Sequence, residues 1–554
     1  MLELSKKNSL PFLVFISIII LFTFWNLPKT FYQQDEWQTL GHFLAQGASN
    51  IFKYTTPLES IFGEGRPLSR IFYLIFLGGF KLDVVPITIF AILNHIFNTF
   101  LVFLLAYKIS KSRYIGTFAS LFFALNSVSH QAITWASAVT TLPATSLILL
   151  SLITYLRFLD TNRKKDLYIS FILGAISLFF KEAGVFLFLF IPIIYFIYRR
   201  GPNFKEFFNL HLPLIIYGAL FLLTRLTVLF LRTDKFAGFV GGGKNFIESV
   251  LFHFVLYPLT SLFQIFVPPL DLYSITPAIT ISQYKFLIGS PLKDLVAQSV
   301  TADMISIIGA MLILGILLSI AYKYRGKATN RNILFALAFF FLSFLPYAVL
   351  HRDSSYLSSR YFYVGAIGAG MLFGYLIYFL TNFNKYTKWL TLFLVFFYLF
   401  HHVSIIRQDV DYQVRLGNER KSLLNGIKSI KPTLDKKTIF YVTSDKEYYG
   451  PITNPFQNGL GYVLEVWYYD SGKIPKEFLS ENFLWDLGAE GYRELGNKGF
   501  GYFQDIDKLV DVIKDKNLSE DMVHAFFFDS KTKRVIDRTS DTRARISTLS
   551  ATTR

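Results

Sequence analysis

The chain has 554 residues and no cysteine, which excludes disulfides, thiolate metal sites and cysteine nucleophiles. Its residues are 53% hydrophobic and 18% aromatic, with 61 Phe against 5 Met, more apolar surface than a soluble domain can hide, so it reads as a polytopic membrane protein. The net charge of +17 does not imply nucleic acid: no basic stripe or RNA-binding motif accompanies it, and most Lys and Arg of the first 400 residues fall in short loops between apolar runs.

Residues 9–27 form an apolar run behind Lys6 and Lys7. Where a signal peptide would carry small residues for cleavage, this chain has Phe24-Trp25-Asn26-Leu27-Pro28, so the run reads as an anchor with its N-terminus inside. Then comes Phe31-Tyr32-Gln33-Gln34-Asp35-Glu36-Trp37, two adjacent carboxylates among aromatics. Close to a membrane boundary such a pair can take a proton or hold a cation without the full cost of hydrocarbon burial. The same two acids could equally cap the helix that follows them. Glu64-Gly65-Arg66-Pro67 leads into an apolar run, Ile71 to Phe80, too short to cross ~30 Å of hydrocarbon and expected along the surface. Further runs cover 86–107, 114–126, 139–156, 167–180, 184–198, 212–231, 304–322, 332–350, 361–380 and 388–405, for about eleven predicted spans in all.

Lys and Arg collect on the cytoplasmic side of short loops. With the first span running outward, the inner loops carry Lys108, Lys111 and Arg113; Arg157, Arg163, Lys164 and Lys165; Arg199, Arg200 and Lys205; Lys323, Arg325, Lys327 and Arg331; Lys385 and Lys388. That alternation puts Asp35, Glu36, the long loop 232–303, the loop from His351 to Arg360 and the whole C-terminal region outside. Asn126 to Thr141, rich in Ser, Thr, His and Gln, suggests a loop dipping into the membrane.

From about Arg407 charged residues appear throughout, with strand-like runs at Thr438–Thr443, Tyr462–Tyr469 and Ala525–Phe528. Phe526 to Ile536, with Ser530-Lys531-Thr532-Lys533 between two apolar runs, reads as a hairpin. The expected organisation is mainly α: a transmembrane helical bundle over 1–406, a small extracytoplasmic α/β domain over 407–538, and a disordered polar tail over 539–554. Gly241-Gly242-Gly243-Lys244 lacks the spacing of a phosphate-binding loop and reads as a flexible turn. His401-His402 falls short of the three or four converging ligands that zinc needs.

A set of charged residues remains that this topology brings to one side. Lys181 and Glu182 lie between two apolar segments with almost no room for a loop, and Arg352 and Arg360 bracket the outer loop before Tyr361-Phe362-Tyr363. Cations at the outer interface suit the phosphate of a lipid carrier, held by charge-assisted bonds in a poorly screened site. Snorkelling, or pairing of Lys181 with Glu182, is the structural alternative.

An acidic pair in the first outer loop, Asn94-His95, Asn126-Ser127-Val128-Ser129-His130-Gln131-Ala132-Ile133-Thr134-Trp135, Phe180-Lys181-Glu182-Ala183, and Ser359-Arg360-Tyr361-Phe362-Tyr363 before a Gly-rich span occur in this order. Together they resemble the GT-C membrane glycosyltransferases, above all the protein O-mannosyltransferases and the bacterial aminoarabinose transferases. The likeness covers about residues 1–405; the C-terminal domain matches nothing in it, and tetratricopeptide repeats are missing.

The resemblance implies an enzyme that moves a hexose or mannose-type sugar from a polyprenyl-phosphate donor to a protein or glycolipid acceptor on the outer membrane face. Asp35 would be the leading base and Glu36 the second. Arg66, Lys181, Arg352 and Arg360, with Glu182 and Tyr361 beside them, would bind the donor phosphate. Some relatives use a divalent cation, for which Asp35 and Glu36 would be the ligands. Two other classes stay open. A transporter or flippase of lipid-linked glycans should carry its charges mid-span, often with inverted repeats, whereas these lie at span ends. A non-catalytic membrane scaffold would need neither the acid pair nor the clustered cations.

Overall fold

Backbone groups inside hydrocarbon find no water, so long apolar runs close their hydrogen bonds internally as helices. The structure, a computed structural model that describes residues 10–47, 66–199, 203–231, 246–283, 291–350, 355–445, 456 and 458–552, follows that rule. Helices α1 (Leu10–Phe24), α2 (Asp35–Gln46), α3 (Pro67–Tyr73) and α4 (Val85–Ser110) precede α5 (Arg113–Leu125), α6 (Thr141–Thr161), α7 (Lys164–Phe180) and α8 (Leu187–Tyr198). Then come α9 (Phe204–Leu231), α10 (Phe246–Gln264), α11 (Pro269–Gln283), α12 (Pro291–Lys323), α13 (Ala328–Ser343), α14 (Phe362–Thr381) and α15 (Lys385–Ile430).

Among the described residues, 8 helices are long and apolar enough to cross a membrane, or up to 9 if the α10–α11 pair, bent by 101°, is one span. This corrects the expected eleven. At 13, 17 and 12 residues, α5, α7 and α8 fall short of the ~20 that hydrocarbon requires. The expected outer loop 232–303 holds α10, α11 and the start of α12 among its described residues. Pro258 and Pro277 inside those helices, with Ser and Thr around them, interrupt the apolar run that would have marked them.

The chain divides into two compact units, one of Met1–Trp25, Tyr54–Ser69 and Thr88–Gln408, the other of Asn26–Lys53, Arg70–Ile87 and Asp409–Arg554. Much of the first loop therefore packs with the C-terminal region, not with the membrane domain 1–406 to which the sequence reading assigned it. In the first unit, α14 presents glycines to its neighbours. A Cβ on Gly370 would stand 2.6 Å from the Ala119 carbonyl oxygen, one on Gly374 2.6 Å from that of Ile115, and one on Gly368 2.9 Å from that of Ala336. Close backbone approach through small residues four apart is how helices associate where lipid removes the hydrophobic incentive.

The second unit contains a sheet of order β2-β3-β1-β4-β5, from β1 (Lys437–Ser444), β2 (Gly491–Leu495), β3 (Lys498–Phe503), β4 (Val523–Asp529) and β5 (Arg534–Asp537). Strand β1 runs parallel to β3 and β4, while β2–β3 and β4–β5 are antiparallel. The expected hairpin is therefore present as β4–β5. Its turn is held by the Asp529 carboxylate, which accepts the Lys531 N–H at 2.9 Å. Helices α16 (Leu460–Trp467), α17 (Lys476–Ser480), α18 (Ile506–Asp515) and α19 (Thr539–Thr552) complete the unit.

Two local expectations are corrected here. Tyr462–Tyr469 is mostly helix rather than strand: Leu460 to Val466 are all buried, so no polar face betrays the helical period. The tail from Thr539 is ordered as α19 because Ile546 enters the core with Leu509, Ile513 and Val523, and the Arg543 guanidinium donates to the carbonyls of Val523 at 3.0 Å and Asp521 at 2.6 Å.

One buried group conflicts with this core. Glu465 is fully buried, and neither carboxylate oxygen has a hydrogen-bond partner among the described residues. Burial pushes its carboxyl well above the usual range, with Arg493 opposing weakly. Above the ordinary carboxylate pKa the unfolded chain gives up this proton while the folded domain keeps it, so stability falls as pH rises. Glu465→Gln should abolish that loss. In thermal melts of the full-length protein, the variant's Tm should exceed the parent's by roughly 2–4 °C at pH 8, the effect of about 1 kcal/mol on a unit of this size. The gap should shrink at pH 5; a gap independent of pH would mean the carboxyl is ionised in the fold.

Candidate functional site

In the first unit, α7 stops at Phe180, Lys181 turns extended, and a tight helical turn, Glu182–Phe186, re-enters the bundle. Gly184 permits that turn, since a Cβ there would overlap the Ser177 hydroxyl. The turn leaves Lys181 buried, its Nζ donating to Thr141 Oγ1 at 2.7 Å, and presents Glu182 to Arg66 at 2.5 Å. The expected alternative of Lys181 pairing with its neighbour thus gives way to an Arg66–Glu182 pair.

Arg360 arrives from the other direction, on the turn Ser359–Tyr361 before α14. Its guanidinium lies between two rings, 4.5 Å from the centre of Trp135 and 4.7 Å from that of Tyr361, and Nη2 donates to Tyr361 Oη at 3.1 Å. The Asn126–Thr134 segment fixes this turn. Gln131 Oε1 accepts from the Ser358 hydroxyl at 2.8 Å and the Arg360 N–H at 3.4 Å, and the Ser359 hydroxyl donates to the Val128 carbonyl at 2.6 Å. Lys181 Nζ stands 5.9 Å from the centre of Tyr361, whose ring packs on Tyr347 at 4.4 Å.

Arg66, Lys181, Glu182, Arg360 and Tyr361 are thus brought together, and Lys181 lies within electrostatic reach of the other three charged groups. Three cations against one carboxylate leave positive charge in excess in a poorly screened place, which suits an anion with several oxygens. Two donors at this cluster, Trp135 Nε1 and Tyr347 Oη, are buried without a hydrogen-bond partner among the described residues. Sequence reasoning quoted Trp135 within a motif without assigning it a role, and it missed Tyr347 and Thr141. An aromatic next to a buried polar run was the available signal for Trp135; Tyr347 and Thr141 have none in the sequence. Arg352 lies outside the described residues, as do Glu64, Gly65 and Gly241–Lys244.

Asp35 and Glu36 belong to the second unit, in the first turn of α2, and their environments differ. Glu36 is buried, accepts the Gln34 N–H at 2.9 Å and interacts electrostatically with the buried Arg420. Glu36 thus lies inside the first turn and satisfies the N–H of Gln34, the residue before the helix, where an acid suits the helix N-terminus. Asp35 is half-exposed. Burial, then the carboxylates of Glu36 and Asp83, push the Tyr32 phenol well above its ordinary value, so that hydroxyl stays protonated beside the acids. Among the described residues no three His, Cys, Asp or Glu side chains gather as metal ligands.

His95 and His402 serve the fold. His95 is buried between the Tyr363 hydroxyl at 2.8 Å and the Ala124 carbonyl at 3.0 Å, and His402 Nδ1 accepts from the Ser127 N–H at 3.0 Å.

No family model matches the chain, and no curated protein does. Among solved structures it is similar to ArnT from Cupriavidus metallidurans bound to undecaprenyl phosphate, at 11% identity and a TM-score of 0.41, over 95% of this chain and 94% of that one.

The stacked guanidinium sets a specific expectation. A guanidinium beside two rings, with Nη2 already donating to Tyr361, still has further N–H groups set in one plane for an oxyanion, a geometry an ammonium cannot reproduce. Arg360→Lys should therefore weaken binding of a phosphate monoester lipid by about tenfold, equivalent to ~1.4 kcal/mol, in titrations of the detergent-solubilised protein. Lys164→Ala, at the start of α7, should leave binding unchanged.

Proposed function

We propose that the chain is a membrane glycosyltransferase that takes a sugar from a polyprenyl-phosphate donor and places it on a hydroxyl of a protein or glycolipid acceptor. The observation that carries this reading is the Arg66, Lys181 and Arg360 cluster around a single carboxylate, built at helix ends of an apolar bundle. A soluble nucleotide-sugar would call for a solvated phosphate site; a lipid phosphate calls for cations at the end of apolar helices.

In this mechanism the acceptor oxygen attacks the anomeric carbon and the bond from that carbon to the phosphate oxygen breaks. The hydroxyl proton passes to the Asp35 carboxylate, and the polyprenyl phosphate leaves with the bond's electron pair. Lys181 and Arg360 stabilise the negative charge growing on the leaving oxygen, and Arg66 holds Glu182 so that it does not neutralise Lys181. Asp35 is assigned the proton because its side chain is partly exposed, whereas Glu36 is buried and faces Arg420. Attack opposite the leaving phosphate inverts the anomeric centre. The acids, the cations and the C-terminal domain are assigned to the outer side, from the charge alternation of the loops.

Two measurements test this. Asp35→Asn, isosteric but unable to take the proton, should cut transfer from a labelled polyprenyl-phosphate sugar by roughly 10² or more with donor saturating. Glu36→Gln should cost less turnover and lower thermal stability instead. A fully active Asp35→Asn protein removes that acid from the mechanism. For sidedness, the chain has no natural cysteine, so Lys531→Cys on the exposed β4–β5 turn gives a single reporter. It should react with an impermeant maleimide in intact cells; labelling only after lysis would put the domain inside.

A further inference from the structure

We infer that the C-terminal domain is a clamp that positions α2, and that Tyr462 is its central positioning residue. The inference rests on the reading of Asp35 as the base. Helix α2 has 12 residues, a length at which a helix in water is marginal by itself, so packing decides where its first turn stands. Within the second unit, that packing comes largely from residues more than four hundred positions downstream.

The contacts run along α2. The Tyr462 hydroxyl, on α16, lies 3.0 Å from the Leu479 carbonyl and 3.4 Å from that of Gln38. One turn on, His42 Nε2 meets Asn482 Oδ1 at 3.0 Å, and at the end of the helix the Tyr469 hydroxyl donates to the Leu44 carbonyl at 2.5 Å. That carbonyl is among those a helix C-terminus leaves without an internal partner.

The closest approach is at Gly41. A Cβ there would fall 2.1 Å from Tyr462 Oη, 2.9 Å from Cζ and 3.2 Å from a methyl of Val466. Tyr462 cannot easily yield: it is fully buried, with its ring edge-on to Trp485 at 5.1 Å. Glycine at position 41 therefore lets α2 lie against α16, and any side chain there would push α2 away by about an ångström. A displacement of about that size at a reacting group can cost about 10²-fold in rate. The phosphate-binding cations belong to the other unit, so the effect should fall on turnover and spare donor binding.

The experiment uses the full-length protein in membranes, with polyprenyl-phosphate sugar as donor. Gly41→Ala should lower kcat by about 10²-fold, leave KM for the donor within about twofold and speed amide exchange in residues 37–46. Adding Tyr462→Phe, which deletes the hydroxyl that the new methyl meets, should recover at least about tenfold of the lost kcat. If Gly41→Ala does not accumulate, Tyr469→Phe adds no bulk and should still lower kcat and speed the same exchange. Full turnover by either variant, a loss carried by KM, or a kcat loss that Tyr462→Phe leaves untouched overturns the clamp. Asp35→Asn measured alongside separates the two ideas. Its full activity would overturn the base assignment itself, whereas full activity of Gly41→Ala beside an inactive Asp35→Asn overturns the clamp alone.

Discussion

The membrane half of this protein depends on how closely backbones can approach where lipid offers no hydrophobic incentive. Helix α14 meets α5 and α13 through glycines at contacts that leave no room for a Cβ. Lipid tails solvate a leucine as well as another leucine does, so dispersion at this closeness is what holds such helices together. The turn that carries Arg360 is the N-terminal continuation of α14, and its hydrogen bonds to Gln131 and Val128 register it against the segment before α6. The same α6 supplies Thr141, which receives the Lys181 ammonium. Packing along one glycine face thus sets where two cations from distant parts of the chain come to rest.

Electrostatics then decides what those cations can do. An Arg–carboxylate pair alone would be close to neutral, and a single buried Lys would tend to shed its proton. Arg66 engages Glu182, while Lys181 is held by a neutral hydroxyl and Arg360 by two aromatic faces. Neither of the last two partners is an anion. Burial lowers the pKa of the Lys181 ammonium, Arg66 and Arg360 lower it further and only Glu182 opposes, so the lasting positive charge rests on the two guanidiniums, whose weaker hydration lowers the cost of keeping it there.

Much of this was legible in the residues. Apolar length marked the helices, Lys181 and Arg360 stood out as cations at span ends, and the turn chemistry of Ser530 to Lys533 marked its hairpin. Other features left no local trace. The Glu182 partner is more than a hundred residues upstream, and no pattern around either residue announces it. Helix α16 is buried from Leu460 to Val466, its one acid Glu465 included, and that erases the exposed polar face whose period separates helix from strand. Helix α19 looks like a soluble tail because few residues anchor it: Ile546 in the core, Leu549 packed against it, and the Arg543 guanidinium on two carbonyls. The two adjacent acids could not be told apart until Arg420 and the Gln34 amide were seen to occupy one of them. Composition also gave no sign that contacts divide the first loop between the two units, because it reports solvent preference and not which partner a surface will meet.

The contacts between α2 and the last part of the chain have a consequence for biosynthesis. Gln38, Leu44 and His42 meet partners 424, 425 and 440 residues later. At roughly 5–20 residues per second, α2 leaves the ribosome about twenty seconds to a minute and a half before the surface it rests on exists. Trp37 and Leu40, buried in the finished fold, must be sheltered in the meantime by lipid or by a chaperone. A chain truncated before α16 would carry α2 without the surface that Gln38, His42 and Leu44 meet, so its first loop would lack the partners it rests on in the finished fold.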